Sequence, residues 1–335
     1  LTDTTTRPGT GARNPKDVTM LRQRVITATI LCVVLILPMF LAPSWAWGLL
    51  VAVGLWLAGR EWQRLILPAS ALLSVTAATT SPTPLGPVAA ATVPAIESSP
   101  RGSPTWLANG LLVVAIACLW WRESDPGRAQ AGWQNALLVL DMLFWLLFAV
   151  PAVFRARPFP FGARTFAAVS LFCLWLGLYE LRRIDPKLVL TVMMVVWIAD
   201  IGAYFVGRAF GRRKLAPRVS PGKSWEGALG GLAVVLLVSF ATLALIPADS
   251  TLAAVFPRWL VERAGIVATI LVLVAMVALS VIGDLHESLL KRARGVKDSG
   301  RIFPGHGGVL DRIDALIPTV PLALLVIQGM TGSPE

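Results

Sequence analysis

Charge is scarce in this sequence. Asp, Glu, Lys and Arg make up 15% of its 335 residues, apolar types make up 56%, and the mean hydropathy is +0.70. A soluble domain of this length carries far more polar surface, so the composition excludes one and points to a polytopic membrane protein. Histidine occurs only at His286 and His306, and cysteine only at Cys32, Cys118 and Cys173. Each cysteine lies inside an apolar run with no CxxC or Cys/His spacing, so neither a disulfide framework nor a zinc site follows. Tyrosine is nearly absent, two residues against thirteen tryptophans. Trp45, Trp47, Trp106, Trp120 and Trp121 sit at the ends of apolar runs, where an interfacial belt would form. No internal repeat is present, which argues against the doubled architecture of many secondary transporters. No nucleic-acid-binding pattern is present either, despite a net charge of +11. The bases gather in short loops flanking apolar runs, as membrane orientation requires.

Apolar segments long enough to cross a bilayer occur at residues 25–42, 45–59, 106–121, 136–154, 165–180, 189–206, 228–247, 265–282 and 315–330. A further candidate at 65–78 is short, contains Pro68, and runs into a Pro/Ser/Ala-rich stretch. Parity decides its assignment. Arg22 and Arg24 put the N-terminal end in the cytoplasm, and six bases without an acid between Gly207 and Trp225 put that loop there too. An even number of crossings must separate them, so residues 65–105 read as a cytoplasmic or interfacial insertion. The expectation is an all-α polytopic integral membrane protein of nine transmembrane helices, its C-terminal end outside, at the cost of leaving Arg182, Arg183 and Lys187 on the outer face. Residues 1–20, polar and rich in helix breakers, read as a disordered cytoplasmic tail, and 21–335 as one transmembrane domain. Asp141, inside an apolar run, reads either as an intramembrane functional acid or as an interfacial residue snorkelling to water.

What charge there is gathers in residues 283–314, GDLHESLLKRARGVKDSGRIFPGHGGVLDRID, which hold five carboxylates, six Lys or Arg, both histidines and six glycines. Asp284, Glu287, Ser288 and Lys291 fall at i, i+3, i+4 and i+7, so a helix leaving the preceding apolar run carries all four on one face. Asp311 and Asp314 repeat the i, i+3 spacing beyond a Gly-rich turn. Two acid-bearing helix ends joined by a basic, glycine-rich loop can converge. Hard oxygen ligands of this kind suit Mg²⁺, and bases with free backbone N–H groups suit phosphate. By composition alone, a solvated loop between two spans fits equally well.

The order of these residues distinguishes the two. Ser288-Leu-Leu-Lys291-Arg292, then Lys297-Asp298, then His306-Gly307-Gly308 and Asp311-Arg312-Ile313-Asp314 resemble the signature of the phosphatidate cytidylyltransferases, also called CDP-diacylglycerol synthases. So many fixed polar identities are far more specific than a lone glycine motif. A second pair of segments, Trp197-Ile-Ala-Asp200-Ile-Gly-Ala-Tyr204-Phe-Val-Gly207 and Ser220-Pro-Gly-Lys223-Ser224-Trp225-Glu226-Gly227, is similar to what precedes that signature, making 197–314 the catalytic region. Residues 21–28 and Glu61-Trp62 echo the family more weakly. There Arg24 reads as a topological anchor more readily than as a catalytic group. Two departures stand out: the insertion before Trp106, and Ile201 where a small hydroxyl residue is common after the aspartate.

The resemblance implies a nucleotidyltransferase that makes CDP-diacylglycerol and pyrophosphate from CTP and phosphatidic acid for phospholipid synthesis. It further implies Mg²⁺, with a second metal or a monovalent cation left open, an active site at the cytoplasmic face of a bacterial inner membrane, and a homodimer. Carried over residue by residue, it makes Asp284 and Asp311 the principal metal ligands, with Asp314 and Glu287 as supporting or alternate ones. Lys291 joins the catalytic set with Asp284 and Asp311. Arg292 and Lys297 would bind phosphates, and Ser220, Lys223 and Ser224 would cradle the nucleotide or the lipid phosphate. His306 reads either as a phosphate donor or as a turn-stabilising side chain, and Arg312 either orients its flanking acids or touches substrate. His286 stands where the family shows an aromatic residue, so packing is expected of it. Asp200 needs a metal, a base or water, and Glu226 suits the start of the next helix. The rival readings are a CTP-dependent polyprenol or dolichol kinase, a cation or phosphate transporter, and a catalytically dead scaffold.

Overall fold

The computed structural model describes residues 15–66, 106–124, 132–159, 162–247, 249–250, 255–303 and 307–331. The first 14 residues, most of the 65–105 insertion, and His306 therefore lie outside the described residues. Among the described residues ten helices follow one another: α1 Pro15–Leu41, α2 Ser44–Leu65, α3 Trp106–Glu123, α4 Gly132–Arg155, α5 Ala163–Ile184, α6 Pro186–Phe210, α7 Trp225–Leu245, α8 Phe256–Ala293, the short α9 Leu310–Ile313, and α10 Leu316–Thr331. The protein is an all-α polytopic membrane protein. Among the described residues five helices, α4 to α8, are long and apolar enough to cross a bilayer, and two shorter apolar stretches lie at Thr29–Leu41 and Leu316–Met330. The first helix begins at Pro15, within the segment read as a tail.

Buried residues of α2, α3, α4, α5, α6, α8 and α10 form the main core, with α5 at its centre. Other faces leave Leu237, Leu245, Val267 and Leu271 exposed, as lipid contact requires. α6 and α7 approach closely because their contact line is small residues: a Cβ on Gly202 would lie 3.1 Å from the Gly231 Cα, and one on Gly231 would lie 2.5 Å from the Ala199 carbonyl. Pro151 cannot donate a backbone hydrogen bond and would clash with a regular preceding turn, and α4 widens into a π-helical turn at Trp145–Ala149 just before it.

Helix α8 breaks at Gly265, whose φ of +80° is costly for any other residue. From there to Ala293 it runs about 42 Å at about 1.5 Å per residue, against a hydrocarbon core of about 30 Å, so its polar last turns project beyond the apolar layer. Across these turns lies a feature absent from the sequence reading, an antiparallel hairpin of β1 Lys214–Ala216 and β2 Ser220–Ser224. Its strands are too short, and too rich in Pro, Gly and Lys, to show an alternating apolar pattern. Ala216 and Val219 are nevertheless buried, against Leu285 and Leu289 of α8 and Ala152 and Val153 of α4. Fully burying a side chain the size of Val219 contributes about 1.5–3 kcal/mol, enough to hold the hairpin over the end of α8.

Several polar residues depart from their sequence reading. Trp45 and Trp120 are exposed as a belt requires, but Trp47 is 1% exposed and donates to the Leu178 carbonyl at 3.1 Å. Asp141 does not snorkel; it is fully buried and accepts from the Ser170 hydroxyl at 2.5 Å. Arg182 donates to the Ala42 carbonyl just past α1, while Glu180 pairs with both Arg122 and Arg183. Two of the three bases that weighed against the topology thus have local structural partners.

Candidate active site

The predicted helical face at the end of α8 forms. Ser288 donates to Asp284 Oδ1 at 3.3 Å, and Lys291 Nζ donates to Glu287 Oε2 at 2.5 Å, both across one turn. Lys291 also reaches Asp311 Oδ1 at 2.7 Å, so the two acid-bearing helix ends converge. Behind them the backbones are in close contact: a Cβ on Gly283 would collide with the Asp314 carbonyl.

The loop between α8 and α9 is wound around Asp311. Its Oδ2 accepts from the Ser299 N–H at 2.9 Å, the Ser299 hydroxyl at 2.9 Å and the Gly308 N–H at 2.8 Å. Gly307 has φ +83°, and a Cβ there would lie 2.6 Å from the same oxygen, so both backbone and space demand glycine. Burial pushes the Asp311 carboxyl up, but hydrogen bonding with Glu287, Lys291 and the Gly308 N–H outweighs it and holds the group below the ordinary carboxylate range. Asp314 moves the other way. Burial and the Asp284 carboxylate push it up to about 7, against a hydrogen bond from the Ala315 N–H and the charges of Lys223 and Lys291.

The hairpin delivers Lys223, whose Nζ lies 2.5 Å from Asp284 Oδ2. The loops 207–227 and 283–314 therefore meet at one end of the bundle. Between α6, the hairpin, α7 and α8 is a cavity of about 520 Å³, lined on its polar side by Asp200, Ser220, Lys223, Ser224 and Asp284 and on its apolar side by Ala199, Ala203, Val277 and Val281. The Ser224 hydroxyl is also the N-cap of α7, accepting from the Gly227 N–H at 3.1 Å. Glu226 is the acid in the first turn of that helix, and its carboxylate also accepts from the Arg212 and Arg213 N–H groups at 3.1–3.2 Å and ties the hairpin back to α7. Arg292, Lys297 and Arg312 are exposed. His286 packs as expected, within 6 Å of the rings of Trp62, Trp145, Phe159 and Phe166.

A sequence model of the cytidylyltransferase family matches residues 22–330. A phosphatidate cytidylyltransferase of Haemophilus influenzae is 42% identical over 211 residues, 59% of this chain and 70% of that protein. Those of Pseudomonas aeruginosa and Staphylococcus saprophyticus are 38% and 35% identical over 209 and 227 residues, covering 60% and 66% of this chain and 72% and 78% of theirs. The chain belongs to the cytidylyltransferase family.

In this cytidylyltransferase two carboxylate–lysine pairs, Asp284 with Lys223 and Asp311 with Lys291, stand side by side at one end of the bundle. Among the described residues no three His, Cys, Asp or Glu side chains form a ready metal cage. Mg²⁺ is commonly held by one or two carboxylates together with water and substrate phosphates, and Asp284 and Asp314 suit that role. Asp284 borders the cavity, and the repulsion that raises Asp314 is what a cation would relieve. Asp284 and Asp311 each have both oxygens engaged, but the Asp284 side chain is 33% exposed and that of Asp311 5%, and Glu287 Oε2 is taken by Lys291. One member of the cluster, Glu61 of α2, entered the sequence reading only as a weak echo of the family and not as a site residue. Its Oε2 accepts from the Leu310 N–H at 2.9 Å and the Ser299 hydroxyl at 3.1 Å.

Proposed function

We propose that this cytidylyltransferase joins CTP to phosphatidate at the cytoplasmic face of the bacterial inner membrane, across which nine helices pass. A phosphate oxygen of the lipid attacks the α-phosphorus of CTP, the bond from that phosphorus to the β-phosphate oxygen breaks, and pyrophosphate leaves. CDP-diacylglycerol remains in the bilayer. The observation that carries this reading is the Lys223–Asp284 contact bordering the cavity, with the Lys291–Asp311 contact at the same end of the bundle, on a chain whose relatives bear the name phosphatidate cytidylyltransferase.

The lipid phosphate is already a competent nucleophile at neutral pH, so the chain has no need of a strong base; its task is to bring two polyanions together. Lys223, with Ser220 beside it, faces the cavity and would hold nucleotide phosphates. Arg292 and Lys297 are exposed and would meet phosphate oxygens as well, while Lys291 holds the α8 and α9 ends at the spacing the reaction needs. Asp284 and Asp314 would hold the divalent ion, Glu287 lying close enough to assist. Held there, Mg²⁺ would supply positive charge against the phosphate oxygens. Apolar Val277, Val281, Ala199 and Ala203 suit the glycerol and first acyl carbons.

The test is purified protein with Mg²⁺, radiolabelled CTP and phosphatidate. A CDP-lipid formed with stoichiometric pyrophosphate is the expected result. A phosphorylated alcohol, or ion flux without nucleotide chemistry, would overturn it.

A further inference from the structure

We propose that Glu61 is a positioning residue of this centre: the end of α2 pins the loop between α8 and α9, and thereby sets where Asp311 and Lys291 stand. The inference rests on the reaction proposed above.

Glu61 is 2% exposed. A carboxylate taken so far from water is costly unless hydrogen bonds offset the loss. Its Oε2 receives the Leu310 N–H, a donor at the start of α9 with no partner inside that helix. The same oxygen lies 3.1 Å from the Ser299 hydroxyl, which is also 2.9 Å from Asp311 Oδ2. One hydroxyl proton therefore stands between two carboxylates, one on α2 and one in the catalytic cluster. One turn further along α2, the Arg64 carbonyl accepts from Arg294 Nε at 2.9 Å. The last turns of α2 thus hold the loop near its start at Arg294, in its middle at Ser299 and at its end at Leu310.

The glycines of the loop support the same reading. A Cβ on either Gly300 or Gly308 would collide with the Glu61 carboxylate, so this part of the glycine-rich segment is shaped to admit Glu61. Beside it, Trp62 packs on the His286 ring at 5.9 Å, next to Glu287. The end of α2 therefore touches both sides of the Lys291 contact. Glu61 does not line the cavity, so it acts through the loop and not on substrate.

The test uses the full chain in detergent, with Glu61→Gln, Ser299→Ala and the double variant. Glu61→Gln keeps the shape but replaces one acceptor oxygen by an amide. The expected result is a kcat lower by about tenfold or more, with KM for CTP and phosphatidate within about twofold of the unchanged protein. Amide exchange should quicken at Ser299 and Leu310 while α5 stays protected. Because both side chains act through one hydroxyl, the double variant should be no slower than about the slower single one. A normal kcat in Glu61→Gln, a rise in KM alone, multiplying losses in the double variant, or activity lost only in proportion to folded protein would each overturn the proposal. Should Glu61→Gln fail to insert, Ser299→Ala carries the same test, and a normal kcat there overturns it equally. Absence of CDP-lipid from the unmutated protein would instead refute the reaction.

Discussion

Replacing Asp284 or Asp311 by asparagine removes one negative charge from the same cluster, yet the two variants should fail differently. The Asp284 side chain is 33% exposed and its partner Lys223 is 25% exposed. A solvent-screened pair of this kind contributes about 0–1 kcal/mol, so Asp284→Asn should fold nearly as well as the parent. Asp311 is 5% exposed and meets Lys291 through one oxygen and Ser299 and Gly308 through the other. An amide there must turn its NH₂ either toward the Lys291 ammonium or toward the two loop N–H groups, setting donor against donor. Breaking one side of such a buried pair costs about 3–5 kcal/mol, several times the loss at Asp284. Thermal unfolding in detergent, followed by tryptophan fluorescence, should therefore separate the variants, Asp311→Asn melting roughly 5–10 °C lower. Turnover of CTP and phosphatidate should fall by about a hundredfold or more in both, through loss of a metal ligand in one and of loop geometry in the other. Near-normal turnover in Asp284→Asn, or equal destabilisation by the two changes, would refute the division of roles.

Asp314 should make metal binding sensitive to pH. Its folded carboxyl holds a proton more tightly than an unfolded one, so the metal-free fold loses stability as pH rises between its ordinary 3.8 and about 7. A bound cation requires the deprotonated form, so calorimetry should show Mg²⁺ affinity falling as pH drops below about 7, with proton release on binding. Lys223→Ala should raise KM for CTP about tenfold while stability changes by about 1 kcal/mol or less, measured by initial rates and thermal unfolding. Gly231→Val should wedge α6 from α7 against the Ala199 carbonyl and lower stability by about 1–3 kcal/mol, with CTP affinity falling alongside because both helices line the cavity.

Much of this was legible along the chain because it depends on near neighbours. The i, i+3, i+4, i+7 face at Asp284, Glu287, Ser288 and Lys291 is a property of any helix, and the structure draws two contacts along it. The hairpin was not legible, since Lys214 and Ser224 pair through backbone groups that carry no side-chain pattern. Trp47 and Asp141 misled for a related reason: hydropathy ranks a position by its own side chain, whereas their burial is decided by α5 packing over them, with Leu178 and Ser170 as partners.

By itself the amino-acid sequence determined that this is a membrane protein with one polar end, and that its acids and bases are those of a cytidylyltransferase. The first conclusion follows from composition and short-range spacing, and the second from the resemblance of its ordered motifs to that family. Only the tertiary structure decided which partner each acid engages. Lys223 reaches Asp284 from a hairpin, Lys291 bridges to Asp311 across a loop, and Glu61 grips that loop from α2, 238 positions from Ser299. Such pairings are made by packing distant helices together, and a carboxylate's partners there decide whether it holds a metal or holds the fold.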